Sequence, residues 1–275
     1  MELLRLRPGL STVLGHPALL LEGPRGQRAL VVADLHIGWE STLADKGFHI
    51  PAQVGKMFRA LEGLLRSLKP DLLVFLGDVK HTAAGVEAEE WAQIPGFFEA
   101  LRPLARDVVV VPGNHDGRLD LLLPDGVQMA DSSGLVLWGS YGLFHGHAWP
   151  RPELLACEVL ITAHMHPVVA FREGPYFRTT ARVWLVVPCD GACLASELAK
   201  RGKGLAEEAR ASELVVMPSF NQFLGGRPIN RDRGGDEELI GPVMRTPCVR
   251  MADAEVYMLD GTFLGTVDQL KRIGV

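Results

Sequence analysis

The first two-thirds of the chain alternates short, uninterrupted apolar runs with longer segments in which apolar residues recur at helical spacing. The apolar runs predict strands at residues 29–33, 72–76 and 108–111. Because the runs are apolar at every position, we expect these strands to be covered on both faces. Helical spacing predicts helices over residues 52–68 and 88–104, and we expect Pro95 and Gly96 to break or kink the second helix.

After about residue 127 the helical pattern thins out, and strand-like segments joined by glycine and proline turns take its place. These segments cover residues 135–143, 159–162, 168–171, 183–187, 214–217 and 254–259. Residues 194–211 predict a helical insertion or exposed arm, and residues 225–236 predict a long loop. We therefore expect an α/β fold with two sheets packed face to face and helices outside, as a single domain over residues 1–275.

Composition narrows the class of protein. The chain has 275 residues, of which 47% are hydrophobic, so it can bury a large core. Its net charge of −5 gives no overall positive field, which weakens a nucleic-acid substrate without excluding one. The first residues lack the apolar stretch of a signal peptide, and no apolar run approaches the roughly 20 residues of a membrane span. We therefore expect a cytoplasmic protein.

The cysteines predict no disulfide framework. Cys157, Cys189, Cys193 and Cys248 are too few and too scattered for one. Cys189 and Cys193 are four residues apart, but no second pair of cysteine or histidine ligands lies nearby to complete a structural zinc site. We therefore expect reduced cysteines in the core.

Five polar motifs lie along the chain, and the first three directly follow predicted strands. The motifs are Asp34-Leu35-His36, Gly77-Asp78, Gly113-Asn114-His115-Asp116, His145-Gly146-His147 and His164-Met165-His166. The carboxyl ends of strands are where open α/β sheets bind ligands. Together the motifs supply enough carboxylate, amide and imidazole groups for two metal ions about 3.5–4 Å apart, which is the arrangement used for phosphoester hydrolysis. Seven of the nine histidines lie within or beside the motifs, which favours a metal site over ordinary turn residues.

The residue types suggest individual roles. Asp78 can bridge two cations with its two oxygens, and Asn114 offers one of them a neutral carbonyl oxygen. His115 can instead face the substrate, where a protonated imidazole would stabilise the phosphoryl oxygens or protonate the leaving group. Asp116 can orient that imidazole. Because alternate residues of a strand point to opposite faces, each His-x-His pair must lie in a bend if both members bind metal.

The motifs, which span residues 34–166, resemble those of the calcineurin-like metallophosphoesterase superfamily. The resemblance implies a four-layer metallophosphoesterase fold with a central β-sandwich flanked by helices. It implies that one metal takes Asp34, His36, Asp78 and His166, and that the other takes Asp78, Asn114, His145 and His164. It also implies that His115 is the catalytic histidine, and it gives His147 no ligand role.

Residues 32–38, 77–81 and 216–221 resemble a smaller SbcD-related phosphoesterase family of archaea and bacteria, some of whose members are ligase-associated DNA-damage-response endonucleases. Those repair nucleases carry a histidine near the phosphate where this chain has His81. That match favours phosphodiester chemistry, and the alternative for His81 is a solvated loop residue. From the length of 275 residues we expect neither the DNA-capping domain nor the ATPase-binding helices of the larger repair nucleases. Arg227, Arg231 and Arg233 are candidates for a phosphate clamp, although such a cluster is more often a solvated loop.

We therefore expect a hydrolase with two divalent metal ions, manganese first and iron, zinc or nickel as alternatives. The favoured activity is that of a phosphodiesterase or nuclease acting on DNA or nucleotides, by metal-hydroxide attack on phosphorus. The alternatives are a small-molecule phosphomonoesterase or nucleotide phosphatase and, in another class, a non-catalytic protein-binding scaffold. The expected partner is a phosphoester substrate, with DNA-repair proteins and a second copy of the chain as candidate protein partners and no membrane.

Overall fold

The computed structural model describes residues 1–44, 47–173, 177–231 and 241–273. Its strands, numbered in chain order, are β1 (Leu3–Arg7), β2 (Leu10–Val13), β3 (Leu19–Glu22), β4 (Arg28–Val32), β5 (Leu72–Leu76), β6 (Asp107–Val111), β7 (Val127–Met129), β8 (Leu135–Leu137), β9 (Tyr141–Leu143), β10 (Val159–Thr162), β11 (Pro167–Glu173), β12 (Phe177–Pro188), β13 (Glu213–Val216), β14 (Arg227–Pro228), β15 (Glu255–Met258) and β16 (Phe263–Thr266). Its helices are α1 (Glu40–Ala44), α2 (Val54–Leu68), α3 (Ala88–Leu101), α4 (Gly191–Lys200), α5 (Gly241–Met244) and α6 (Val267–Ile273).

The first sheet follows chain order from β1 to β7 within the described residues. Its strands are antiparallel from β1 to β4 and parallel from β4 to β7. Helix α2 lies between β4 and β5, and α3 lies between β5 and β6, as the crossovers between parallel neighbours require. The carboxyl ends of β4, β5 and β6 therefore lie side by side at one edge of the sheet.

The second sheet has the strand order β14-β11-β12-β13-β10-β9-β8 over the part of the chain described, with β15 beside β12 and β16 beside β15. Strands β9, β10 and β13 are parallel to one another. Their carboxyl ends, at Leu143, Thr162 and Val216, form a second edge from which polar loops emerge. The motifs with His145 and His164 follow the first two of these strands directly.

The two sheets pack face to face with helices on their outer faces. Strand β4 illustrates why its sequence is apolar throughout. Leu30 belongs to a core cluster with Leu61 of α2 and Phe98 of α3, whereas the adjacent Val31 belongs to a cluster with Trp184 of the second sheet. A third cluster lies outside the second sheet and includes Leu194 of α4. This arrangement confirms the expected four-layer fold with a central β-sandwich. No helix in the described residues is both long enough and apolar enough to cross a membrane.

Two helix predictions need correction. Helix α3 continues through Pro95 without a break, because buried residues on both sides of the proline, Ile94 and Phe97 among them, hold the helix against the sheet. Trp91, whose carbonyl loses its helical partner at Pro95, is on the exposed side of the helix. The predicted helical arm over residues 194–211 ends at Lys200 and is not exposed throughout, since the buried face of α4 packs into the outer core.

One strand prediction also needs correction. The expected strand over residues 135–143 is a hairpin of two strands, β8 and β9, paired in antiparallel fashion. Trp138 and Gly139, which lie between them, both have positive φ angles of 52° and 72°. Two successive residues in this conformation reverse the chain with the twist that antiparallel neighbours favour. A tryptophan is uncommon at the first of these positions, so Gly139 is the clearer turn signal in the sequence.

The expectation of four reduced cysteines is wrong for one pair. Cys193 at the start of α4 forms a disulfide with Cys248, 55 residues further along the chain. An isolated β-bridge between Cys189 and Val249 aligns the two segments and brings the thiols together. The disulfide also occupies one of the two cysteines considered for a zinc site. Cys157 and Cys189 are buried free thiols, as expected.

The exposed helix glycines provide a test of the helix assignments. Gly63 in α2 and Gly96 in α3 are exposed, and an added Cβ would meet no atom within 4 Å at either position. We expect Gly63→Ala and Gly96→Ala each to raise the free energy of unfolding by about 0.5–1 kcal/mol, because alanine loses less backbone entropy in a helix. Denaturant titration measures this change. A loss of stability in the Gly96→Ala variant would contradict a continuous α3.

Candidate metal centre

The polar motifs lie in tight loops at the strand ends, and the backbone there is unusual. Among the described residues, eight that are not glycine have a positive φ angle, and five of these are predicted metal ligands. The five are Asp34, His36, Asp78, His164 and His166. Residues with side chains seldom adopt this conformation, and such residues cluster at functional sites because the surrounding structure must hold them there. The bends also satisfy the condition that both members of His164-Met165-His166 leave the strand.

Two glycines in the motifs allow the loops to approach one another. A Cβ added to Gly77 would lie 2.2 Å from Nδ1 of His145, and one added to Gly113 would lie 2.2 Å from Oδ1 of Asp78. Any larger residue would push these side chains away. The glycines of the Gly-Asp and Gly-Asn-His-Asp motifs are therefore needed for close approach of backbone to side chain.

The structure brings six of the seven predicted ligand side chains into two groups. Ligand atoms of Asp34, His36 and His166 all lie within 4.8 Å of one another, and those of Asp78, His145 and His164 do the same. The groups meet at Asp78. Its Oδ2 lies 3.4 Å from Nε2 of His36, which belongs to the first group, and 3.2 Å from Nε2 of His145, which belongs to the second group with Asp78. One carboxylate oxygen is therefore shared between imidazoles that come from different sheets.

Many of these converging atoms have no hydrogen-bond partner. Of ten buried side-chain nitrogen and oxygen atoms without one in the described residues, five belong to this site: both carboxylate oxygens of Asp34, and Nε2 of His36, His145 and His166. A buried polar atom without a partner costs about 1–3 kcal/mol. Carboxylate oxygens and imidazole nitrogens are ligands for divalent transition metals. The donor set therefore fits a divalent cation in each group.

Burial and charge set the protonation of the donors. Burial lowers the pKa of His36 to about 3 and that of His164 to about 4, so both imidazoles are neutral, as a metal ligand must be. Burial opposes a charge on His145 as well, but the Asp78 and Asp34 carboxylates outweigh it and raise its pKa to about 10. Burial would raise the pKa of Asp78, yet His145 and His36 hold it below its usual value. Burial opposes the charge of Asp34 too, but His166 and His145 hold its pKa below the usual value. Both aspartates are thus ionised and able to bind cations.

The loop of residues 113–116 wraps around Asp78. The backbone N–H of His115 donates to Oδ1 of Asp78 at 2.9 Å. Nδ1 of the His115 ring bonds the carbonyl of His81, which leaves Nε2 of that ring available. The His115 and His36 ring centroids are 4.8 Å apart. Asn114, the seventh predicted ligand, is exposed and lies between Gly113 and His115, both of which contact Asp78.

Asp116 has a different role from the one expected. Its Oδ1 accepts from the backbone N–H groups of Val79 at 2.8 Å and Lys80 at 3.2 Å, and its Oδ2 accepts from Gly113 at 2.8 Å. In the described hydrogen bonds it has none to the His115 ring, so it does not orient that imidazole. It joins the loop after β5 to the loop after β6 instead. Burial and the nearby Asp78 charge raise its pKa to about 6.

The remaining predicted residues lie around the two groups. His81 has its Nδ1 3.3 Å from Nδ1 of His36, and its ring stacks on that of His115 at 5.7 Å. His147 lies beside the second group, with its ring centroid 5.4 Å from that of His145. Arg227 donates its backbone N–H to the carbonyl of His166 at 3.0 Å. Arg233, the third residue of the predicted clamp, lies outside the described residues.

Two residues that hold the site in place were not among the predicted site residues. Buried Glu90 accepts from the backbone N–H groups of His81 at 3.0 Å and Thr82 at 2.7 Å, and so fixes the loop that carries His81. A signal existed, because Glu90 falls at a core-facing position of α3, four residues before the buried Ile94. Buried Asn221 donates its side-chain N–H to the carbonyl of Leu35 at 3.0 Å. Asn221 ends the segment 216–221 that resembles the SbcD-related family, but its hydrogen bond spans 186 residues and cannot be read from a local pattern.

Comparison with known proteins settles the family. The family model described as calcineurin-like phosphoesterase matches residues 27–178, which is more than half of the 275 residues. This chain belongs to the calcineurin-like phosphoesterase family. Membership makes it a metal-dependent phosphoester hydrolase by class, and the divalent metals that the family binds suit the donor groups described above.

Three solved structures are similar to this chain to different degrees. The Pseudomonas putida nuclease MPE has a TM-score of 0.54 at 18% identity, over 94% of this chain and 96% of that chain. The E. coli phosphoesterase Yfce has a TM-score of 0.36 at 19% identity, over 86% and 96%. A Vps29 double mutant from Entamoeba histolytica has a TM-score of 0.31 at 17% identity, over 72% and 79%. The first likeness supports the fold alone. The sequence has no significant match among curated proteins.

The shared position of Asp78 predicts how metal content responds to substitution. We expect Asp78→Ala to weaken binding of two manganese ions by more than about 100-fold, because loss of even an outer partner of a ligand costs about 10–100-fold. His147→Ala provides a matched control, since His147 lies beside the second group but has no predicted ligand role. Metal analysis and calorimetric titration measure both. Retention of two tightly bound ions by Asp78→Ala would exclude a bridging carboxylate.

Proposed function

We propose that this chain is a dinuclear-metal phosphodiesterase of the SbcD-related type, acting on nucleic acid or nucleotides as a single domain over residues 1–275. The observation that carries the proposal is the pair of donor groups that share Oδ2 of Asp78. A shared carboxylate oxygen suits two cations held close together, which is the arrangement that in-line hydrolysis of a phosphoester uses.

Each of the two proposed metals takes ligands from loops of both sheets. One metal takes Asp34, His36, Asp78 and His166, and the other takes Asp78, Asn114, His145 and His164. Bound metals supply a water of lowered pKa and neutralise charge on the phosphoryl oxygens. Manganese is the proposed ion, and iron, zinc and nickel suit the same donors.

The chain's own residues then orient the phosphate and manage the proton. His115 keeps Nδ1 on the carbonyl of His81, so its Nε2 can hold a proton toward the leaving oxygen. The ring cannot rotate freely, because it also stacks on His81 and packs against His36. An imidazole held in this way can act as a general acid. Asp116 supports this arrangement indirectly by fixing the two loops around Asp78.

The preference for a diester rests on His81. Its ring stacks on that of His115, and its centroid lies 5.4 Å from that of His36, so it would add a second imidazole beside a bound phosphate. A diester carries only one negative charge, so uncharged or weakly cationic donors suit it.

A phosphomonoesterase acting on small molecules is the second candidate. The net charge of −5 favours it, because no overall positive field draws a polyanion to the protein. A protein-binding scaffold is less consistent with the site, since every predicted ligand position and His115 carry the expected residue type.

His115 provides the sharpest test of the mechanism. We expect His115→Ala to keep both metals and to lose about 10²–10⁴-fold in kcat, which is the usual contribution of a general acid. Steady-state kinetics with manganese and metal analysis of the same preparation measure the two effects separately. A variant that keeps its metals and turns over at the wild-type rate would show that His115 has no catalytic role.

A pair of model substrates tests the substrate class. We expect kcat/KM for bis-nitrophenyl phosphate to exceed that for nitrophenyl phosphate when both are measured with manganese on metal-analysed protein. Incubation with labelled single-stranded DNA then shows whether the protein cuts nucleic acid. A preference for the monoester would favour the phosphatase candidate instead.

A further inference from the structure

A cavity of about 300 Å³ opens between α2 and the loop that follows β13. Its lining includes Lys56 and Gln53 from the α2 side, Asn221 and Phe223 from the loop, and Arg182 from β12. The lining contains two permanent cations and several amides but no carboxylate. That composition is notable in a chain whose net charge is −5. An anionic ligand therefore suits this cavity better than the protein surface as a whole.

Arg182 provides the cation at the inner wall. Its NH1 donates to the carbonyls of Ser219 at 2.8 Å and Phe220 at 3.2 Å. In the described part of the chain its guanidinium has no carboxylate partner and no further hydrogen bond through Nε or NH2. Burial lowers its pKa, and no neighbouring anion opposes that shift. A partly buried guanidinium with free donors is a favourable partner for a phosphate oxygen.

Phe223 and Lys56 provide an aromatic surface and a second cation at the mouth. Phe223 is 40% exposed and stacks on Trp39 with ring centroids 6.3 Å apart and planes inclined by 18°. Nζ of Lys56 lies 5.5 Å from the centre of the Phe223 ring. Aromatic faces beside cations bind the bases and backbone of single-stranded nucleic acids with little regard to sequence.

Short contacts join the cavity to the metal centre. Asn221, which lines the cavity, donates its backbone N–H to the carbonyl of Asp34 at 3.3 Å and its side chain to Leu35 at 3.0 Å. Trp39, which supports Phe223, donates its backbone N–H to the carbonyl of His36 at 3.0 Å. The residues that line or support the cavity are therefore in direct contact with the loop that carries Asp34 and His36.

We propose that this cavity is a binding site for a flanking nucleotide of a single-stranded nucleic acid, with Phe223 against the base and Arg182 and Lys56 on the phosphate. The proposal rests on the proposed phosphodiesterase function and names its substrate class. The cavity would hold the strand next to the bond that is cut. A lining with two cations and no carboxylate would also let a protein of acidic net charge bind a polyanion locally.

The test uses fluorescence anisotropy to measure the binding of a labelled ten-nucleotide oligothymidine to the full chain in EDTA. Omitting metals separates this site from the metal centre. Phe223→Leu removes the aromatic face and keeps an apolar side chain, and Lys56→Gln removes an exposed charge. Lys203→Gln makes the same change of charge at an exposed position in the loop after α4 and serves as the control.

We expect wild-type protein and the Lys203→Gln variant to bind alike. Phe223→Leu should weaken binding by about fivefold or more, since base stacking on an aromatic ring contributes at least that factor. Lys56→Gln should lower the slope of log Kd against log salt by about 0.7, the value for one phosphate contact to a single strand. Equal binding by all four proteins, or no measurable binding by the wild type, would overturn the proposal. So would competition by inorganic phosphate as effective as that by thymidine monophosphate.

Hydrolysis of bis-nitrophenyl phosphate with manganese separates this inference from the function on which it rests. If the diester is not cut but Phe223→Leu and Lys56→Gln still weaken binding, the phosphodiesterase function fails and the nucleotide site stands. If the diester is cut but the variants bind like the wild type, the nucleotide site fails alone. When both hold, kcat/KM for the oligonucleotide should fall in the two variants by more than that for the small diester.

Discussion

One carboxylate oxygen, Oδ2 of Asp78, lies between imidazoles that the two sheets contribute separately. His36 follows β4 of the first sheet, and His145 follows β9 of the second. The sharing exists only while the sheets keep their relative position, and the core between them, with Trp184 fully buried at its centre, maintains that position. Packing far from the metal centre therefore sets the distances within it.

Much of the fold follows from local patterns, because strands buried on both faces and amphipathic helices each leave a distinct signature. The runs at β4, β5 and β6 were predicted within a residue or so. The hairpin at Trp138 was not predicted, because its reversal depends on a backbone conformation that tryptophan rarely adopts. The Cys193–Cys248 disulfide was missed for a related reason, since its partners meet only through a bridge between distant segments.

The candidate site, like the fold, could be predicted from the sequence in part. Residue types and their order were enough to select side chains that the structure brings together, because metal ligands are few in kind and lie at strand ends. What each supporting residue bonds could not be predicted. Asp116 was expected to face the neighbouring imidazole, but its carboxylate accepts from backbone N–H groups of two loops instead. Glu90 and Asn221 likewise act on backbone atoms that only the tertiary structure brings close.

The left-handed backbone at five of the donor positions narrows what evolution or design can place there. Asparagine, aspartate, histidine and glycine tolerate that conformation better than other residues, whereas β-branched side chains are largely excluded. One donor residue can therefore be exchanged only for one of a few other residue types. Retuning such a centre toward a softer metal with cysteine would require rebuilding the loops as well as replacing the side chains.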